Sequence, residues 1–281
     1  MRIIHTIAEM QSTSVILKKN GTTIGFVPTM GALHEGHGSL IRASHAVHNA
    51  TVVSVFVNPT QFGPNEDYTQ YPRTLEDDVV LAERFGASHI FAPSVQEMYP
   101  NGFATSVNIG AIATMFEGAI RPGHFEGVAT VVAKLLNAVL PDNAYFGQKD
   151  YQQTIVIKRM ASDLNIPVNI IVQPTLRELN GLAMSSRNRY LSTDERSTAS
   201  AIYRALQAGK QCVEGGIRMR AEIEQTMRDE LGAFTVDYAS VADADTLVSP
   251  EILEPQTSAV LLVAARLGTT RLIDNELVTI R

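Results

Sequence analysis

Through its first two thirds the chain alternates short apolar runs with longer stretches of helical period, and this alternation restricts the fold more than any other feature. The runs TTIGFV (Thr22–Val27), TVVSVFV (Thr51–Val57), SHIFAP (Ser88–Pro93), AYFG (Ala144–Gly147) and PVNIIVQPT (Pro167–Thr175) are rich in β-branched or aromatic residues and nearly unbroken in apolarity. Strands without polar alternation are covered on both faces, and strands separated by helices run parallel. GVATVVAKLLNAVL (Gly127–Leu140) and YQQTIVIKRMASDL (Tyr151–Leu164) supply two of those helices. The expectation is an α/β domain of right-handed βαβ units around a parallel sheet. Ligands of such sheets sit beyond the carboxyl ends of the strands. The HEGH, VNPTQFG and FGQKD segments each follow a strand, so they should converge on one edge.

Beyond Pro174 the texture changes. Ser192 and Glu195 make a capping box that should open one long helix ending at Gly215 and Gly216. A second helix is expected over Ala221–Leu231, with strands near Val236–Val241 and Val260–Arg266. This divides the chain into a sheet domain over residues 1–175 and a small α+β C-terminal domain over 176–281. The MSSRN segment (Met184–Asn188) is expected at the hinge, where a closing cleft would exclude water.

Phe26–His37, FVPTMGALHEGH, reads as a buried strand, a glycine-bearing turn and a helix opening on two imidazoles. Free N–H groups and the positive dipole end make that helix start favourable for phosphate. His34 and His37, three apart, project from one face. MSSRN adds two hydroxyls and the guanidinium of Arg187, groups suited to a triphosphate. Zinc is the competing ligand for paired imidazoles, but the spacing is not HExxH and no third ligand lies nearby. In the loop FVNPTQFGPNEDYTQYPRT, Asn58 and Gln61 carry amides that donate and accept, as a hydroxylated carboxylate requires. Asp77 and Asp78 read either as a solvated helix face or as carboxylates beside Mg²⁺. In RPGHFEGV, Arg121 is available to an acid and His124 to capping or packing. In FGQKDYQQ, Lys149 offers a point charge for phosphate, and Asp150 an acceptor for ribose or a helix cap.

A net charge of −6, from 23 basic and 29 acidic residues, argues against a broad surface for nucleic acid and for a small anion held locally. Cys212 is the only cysteine. It excludes an intrachain disulfide, reads as a half-buried packing residue, and suits the cytoplasm. No apolar run reaches membrane-span length, and the N-terminal residues do not read as a signal peptide.

The ordered set PTMGALHEGH, FVNPTQFG, YPRT, RPGHFEGV, FGQKDYQQ and MSSRNRYLS resembles the pantothenate synthetase family, the AMP-forming pantoate:β-alanine ligases, over nearly the full length. The resemblance implies a Rossmann-like domain of the HIGH-motif nucleotidyltransferase superfamily, a smaller C-terminal lid, and a homodimer. It implies that ATP lies along Met30, Gly31, His34 and His37, with both imidazoles on the phosphates. Gly147 and Asp150 would hold the ribose, Lys149 the phosphates, and the Leu176 backbone the adenine. Met184, Ser185, Ser186 and Arg187 would close over the triphosphate, and Gln61 and Gln153 would hold pantoate, Gln61 also near β-alanine. Asn58 and Arg121 are counted with the substrate-side groups, and Asp77 and Asp78 with Mg²⁺. His34, His37, Lys149 and Arg187 are the expected catalytic set. Gln148 stands where many relatives carry Glu, and MSSRN departs from the lysine-rich KMSKS form. Three alternatives remain: a nucleotidyltransferase that transfers AMP to a phosphorylated acceptor, a zinc-dependent hydrolase on His34 and His37, and a nucleotide-binding module without catalysis.

Overall fold

The computed structural model describes residues 1–64 and 66–281, which separate into two compact units. The first contains Met1–Gly147 and Gln152–Pro174, and the second contains Gln148–Tyr151 and Thr175–Arg281.

In chain order the first unit runs β1 (Arg2–Ile4), α1 (Ile7–Lys19), β2 (Ile24–Thr29), α2 (Glu35–His45), β3 (Ala50–Val55), α3 (Leu75–Phe85), β4 (His89–Phe91) and α4 (Val95–Met98). It continues through α5 (Glu117–Ile120), α6 (His124–Val139), β5 (Asn143–Gly147), α7 (Tyr151–Asp163, whose first residue counts with the second unit) and β6 (Asn169–Gln173). Its sheet has the order β1-β4-β3-β2-β5-β6 with every pair parallel. Successive side chains of a strand face opposite ways, which sorts the apolar runs into two cores. Phe26, Val52, Phe91 and Phe146 enter one core with α6 and α7, while Val27, Val53, Ile90 and Tyr145 enter the other with α2 and α3. The unbroken apolarity of these strands is thereby explained: both faces are buried.

Strand order reverses at β2. From β2 the chain moves outward through β3 and β4, then returns to place β5 on the other side of β2. The carboxyl ends of β2 and β5 therefore flank the topological switch point, where such sheets take ligands. The expected convergence holds for the turn after β2, the loop after β3 and the end of β5 at Gly147. β1 was not anticipated; three residues paired to β4 carry too little pattern to be read.

The second unit contains α8 (Thr193–Ala199), α9 (Ala201–Glu214), α10 (Arg220–Asp229) and the antiparallel meander β7 (Thr235–Asp243), β8 (Ser258–Leu267) and β9 (Thr270–Thr279). The capping box at Ser192 forms as read, with Glu195 N–H donating to Ser192 Oγ and Ser192 N–H to Glu195 Oε2. The single long helix expected after it is two helices that meet at Ser200, which is buried and donates its hydroxyl back to Ser197 O at 2.7 Å. A serine that bonds to the preceding turn competes with helix continuation. Cys212 packs half-buried against the core of α9, α10 and the meander. No helix among the described residues is long and apolar enough to cross a membrane.

Candidate active site

The turn from β2 to α2 is held from below. Gly31 and Ala32 both take positive φ, +84° and +50°. For alanine this backbone costs roughly 1 kcal/mol. Asp78, 1% exposed on α3, compensates: its carboxylate accepts from Leu33 N–H at 2.7 Å, Ala32 N–H at 3.1 Å and the Thr74 hydroxyl at 3.3 Å. Burial pushes this carboxyl above its ordinary value, and the three donors pull it back. A side chain at Gly31 would meet Asp78 Oδ2 at 2.8 Å, so glycine is required by space as well as by φ. The two carboxylates expected beside Mg²⁺ differ in their surroundings. Asp77 is exposed, whereas Asp78 is buried and committed to the backbone of the turn.

His34 is the N-cap of α2, and its Nδ1 accepts from Gly36 N–H at 3.1 Å. With that lone pair engaged, the ring proton sits on Nε2, which becomes a donor. The His37 ring lies beside it, centroids 4.2 Å apart. Glu35, the one acidic group in this first turn, is turned to Arg42 at 3.1 Å. The helix start thus presents a positive dipole end beside two imidazoles, with Glu35 paired to Arg42. Gly38 permits the close packing behind it, since a Cβ there would enter the Phe85 ring at 2.6 Å.

Beyond β3, a one-turn 3₁₀ segment (Pro59–Gln61) is built around Asn58. The Asn58 amide, 1% exposed, donates to Gln61 Oε1 at 3.1 Å and Gly127 O at 3.2 Å, and accepts from the Tyr99 hydroxyl at 2.7 Å and the Thr60 hydroxyl at 3.0 Å. Both donors and the acceptor of the Asn58 amide are engaged, and it fixes Gln61. With Oε1 held, the Gln61 NH₂ points toward Met30, donating to Sδ at 3.3 Å. Arg121, expected on the substrate side, is engaged by groups of the protein. Its guanidinium grips Glu66 through Nε and Nη2, both at 2.6 Å, and donates through Nη1 to His124 Nε2 at 3.1 Å. Burial raises the Glu66 carboxyl, but Arg121 outweighs this and holds it below its usual range. His124 Nδ1 donates to Gln61 O at 2.8 Å, so both sides of the imidazole are engaged.

Gln152 and Gln153 open α7 about 100° apart around its axis. Gln152, buried, accepts from Glu117 N–H at 3.0 Å and donates to Ile112 O and Met115 O at 2.8 Å each, pinning the loop before α5. Half-buried Gln153 lacks such an anchor among the described residues and is the member of the pair with a usable amide.

Gly147 ends β5 in the first unit, and the other expected residues lie in the second. Lys149 Nζ lies 3.4 Å from Asp150 Oδ1 in a 3₁₀ turn over Gln148–Asp150. Leu176 O accepts from Met184 N–H at 2.9 Å, and Arg177 bridges Ala183 in an antiparallel pair. Ser185 caps a 3₁₀ turn (Ser186–Tyr190) by accepting from Arg187 N–H at 3.2 Å. Sequence reasoning passed over Asn188, Glu178, Asp274 and Asn275 in this unit, although the buried Asp-Asn pair inside the apolar strand β9 is a legible signal.

A Rossmann-like parallel sheet with a histidine-headed helix at its switch point, followed by a compact α+β unit, defines an α/β protein of the class that takes an anionic ligand at the carboxyl ends of its strands. The comparisons specify it further. A family model described as pantoate-beta-alanine ligase matches residues 2–277. Pantothenate synthetase of Moorella thermoacetica is 50% identical over 279 residues, covering 98% of each chain, and that of a Roseiflexus species is 51% identical over 278 residues with the same coverage. A crystal structure of the Thermus thermophilus pantothenate synthetase superposes with a TM-score of 0.90 at 44% identity, covering 98% of this chain and 99% of that one. The Francisella tularensis pantoate-beta-alanine ligase, complexed with beta-gamma ATP and beta-alanine, superposes at 0.81 with 36% identity, covering 99% and 97%. The chain belongs to the pantoate-beta-alanine ligase family, whose members are AMP-forming ligases.

Proposed function

We propose that this enzyme joins (R)-pantoate to β-alanine through two half-reactions divided among named residues as follows. A pantoate carboxylate oxygen attacks the α-phosphorus of ATP, and the bond to the bridging oxygen of pyrophosphate breaks, giving pantoyl adenylate. The β-alanine nitrogen, having lost a proton to solvent, then attacks the acyl carbon; the carbon–oxygen bond to AMP breaks, the new amide nitrogen gives up a second proton to solvent, and pantothenate is released. No protein nucleophile is needed, so the residues bind, orient and stabilise charge. His34, through its Nε2–H, and His37 stabilise charge on the phosphates at the start of α2, in the place of the HIGH motif. Gln61 and Gln153 hold pantoate by amides that orient the carboxylate without quenching it. Lys149 and Arg187 supply positive charge to the triphosphate, Met30, Gly31, Ser185 and Ser186 line it, and Gly147, Asp150 and the Leu176 backbone hold the nucleoside.

Mg²⁺ enters as part of the substrate, Mg·ATP. Among the described residues no three His, Cys, Asp or Glu side chains converge to hold a cation, so no step is assigned to a protein-held metal. The same observation withholds support from a zinc site at His34 and His37. A homodimer is part of the proposal on the family likeness alone, and cytoplasmic residence on the single cysteine.

The observation that carries the division of roles is the His34–His37 pair at the capped start of α2, at the switch-point edge. Its test is pyrophosphate release from ATP with pantoate present and β-alanine omitted. Release is expected in the parent, and His37→Ala should slow adenylate formation in a single turnover about a hundredfold or more, with pantoate binding retained. Unchanged single-turnover formation would remove His37 from the mechanism.

A further inference from the structure

Asp274 and Asn275 stand side by side in the middle of β9, 4% and 1% exposed, where apolar residues would cost less to bury. A buried ion pair rarely improves on well-packed apolar side chains in stability; its best-attested use is to specify one geometry. What these two residues hold is informative. Asn275 Nδ2 donates to Gln148 O at 2.9 Å and Lys149 O at 2.8 Å, while its Oδ1 accepts from Gln148 Nε2 at 3.2 Å. The backbone that carries Lys149 is thereby fastened at two successive carbonyls to the centre of a strand.

Asp274 fixes Asn275 in turn, accepting its backbone N–H at 2.8 Å and forming a bidentate pair with Arg177. Arg177 is locked as well: its guanidinium lies 4.2 Å from the centroid of the Tyr203 ring and donates to Gly181 O at 3.1 Å. Across the antiparallel bridge from Arg177 is Ala183, whose carbonyl accepts from Asn188 Nδ2 at 3.0 Å. Asn188 also donates to Glu178 Oε1 at 2.8 Å, and Arg196 holds both oxygens of Glu178. Hydrogen bonds joined through the backbone of Leu176–Glu178, where Met184 N–H donates to Leu176 O and Glu178 N–H to Leu182 O, therefore connect the Lys149 carbonyl with the 3₁₀ turn that carries Arg187.

We propose that Asn275, backed by the Asp274–Arg177 pair, is a positioning residue that holds the Lys149 segment and the Met184–Arg187 segment in one frame, fixing the spacing of two cationic groups before nucleotide arrives. The inference rests on the reading of Lys149 and Arg187 as triphosphate groups. Its physical content is preorganisation: a lysine on an untethered turn must be ordered at the moment of reaction, which forfeits part of its effect.

The test is pantoate-dependent exchange of pyrophosphate into ATP by the full chain. Asn275→Ala is expected to lower the maximal exchange rate about tenfold while leaving the pantoate KM within twofold. In a Lys149→Ala background, the same substitution should cost less than threefold, because it acts through Lys149. An equal loss in both backgrounds, or undiminished exchange in Asn275→Ala when Lys149→Ala is impaired, overturns the inference alone. Undiminished exchange in Lys149→Ala refutes the reading of Lys149, and the inference with it. Amide hydrogen exchange of the substrate-free parent needs no variant: residues 148–150 and 184–188 should be protected to a similar degree and open together. Independent opening of the two segments overturns the shared frame.

Discussion

His124 is fixed by its neighbours as a neutral imidazole. Its Nδ1 must carry a proton to donate to Gln61 O, and its Nε2 must not, because Arg121 donates to it. Burial and the adjacent guanidinium lower its pKa to about 4. The unfolded chain protonates near 6.5, so between pH 6.5 and 4 it binds more protons than the folded one. The contribution is fully present above pH 6.5 and declines as pH falls, by about 3 kcal/mol at pH 4. His124→Asn keeps a donor toward Gln61 O and removes the titration, so its stability profile should be flatter over this window. Denaturant midpoints measured from pH 7 to 4 check this, and parallel profiles for parent and variant would defeat it. Such detail was not legible in the sequence. Residue type suggested that Arg121 and Asn58 were open to substrate, but whether a side chain is already engaged depends on partners, such as Glu66 and Tyr99, set by the tertiary fold. Cys212, with only packing to predict, was read correctly.

The helix α6 and the 3₁₀ segment over Pro59–Gln61 show how an element can tune a site without touching a ligand. Gly127 lies in the first turn of α6, where an added Cβ would come within 2.5 Å of Thr60 O and 2.8 Å of Gln61 N. Both contacts are backbone, so no rotamer change relieves them. Gly127→Ala is expected to push the Gln61 segment aside at about 1–3 kcal/mol of stability and to raise the pantoate KM several-fold, with the ATP KM little changed. Steady-state kinetics with each substrate varied decides this, and an unaltered pantoate KM would show that Gln61 is not set by this contact. At this scale the sequence was most readable where strands were buried on both faces: β2, β3 and β5 each appear within two residues of the run that announced them. It was least readable where polar residues served tertiary partners. β9 interrupts its apolar pattern with Asp274, Asn275 and Glu276, and the strand was missed for that reason, while Ser200 divided a helix whose amphipathic pattern ran on without a break.

Across the molecule, the chain is divided between units in a way that boundary reading could not capture. The main passage falls after Pro174, and Gln148–Tyr151 counts with the second unit because its partners, Asn275 and Ala244, are there. Acidic side chains are similarly dispersed into local tasks: Asp78 into a backbone turn, Glu66 onto Arg121, Glu178 onto Arg196, Asp274 onto Arg177. With these carboxylates committed, the proposed cation requirement belongs to the nucleotide, whose triphosphate brings Mg²⁺ with it. Removal of divalent ions should then separate stability from turnover. A metal held by the protein stabilises the fold by binding the native state, so stripping it lowers Tm. Here EDTA in excess is expected to leave the Tm of the substrate-free enzyme unchanged within about 1 °C, since one or two degrees already reports a fraction of a kcal/mol in a chain of this size. The same treatment should abolish pantoate-dependent pyrophosphate release, and Mg²⁺ added with ATP should restore it. A fall in Tm on chelation, reversed by Mg²⁺ without nucleotide, would place a cation in the protein itself and return an acidic pair to the ligand set.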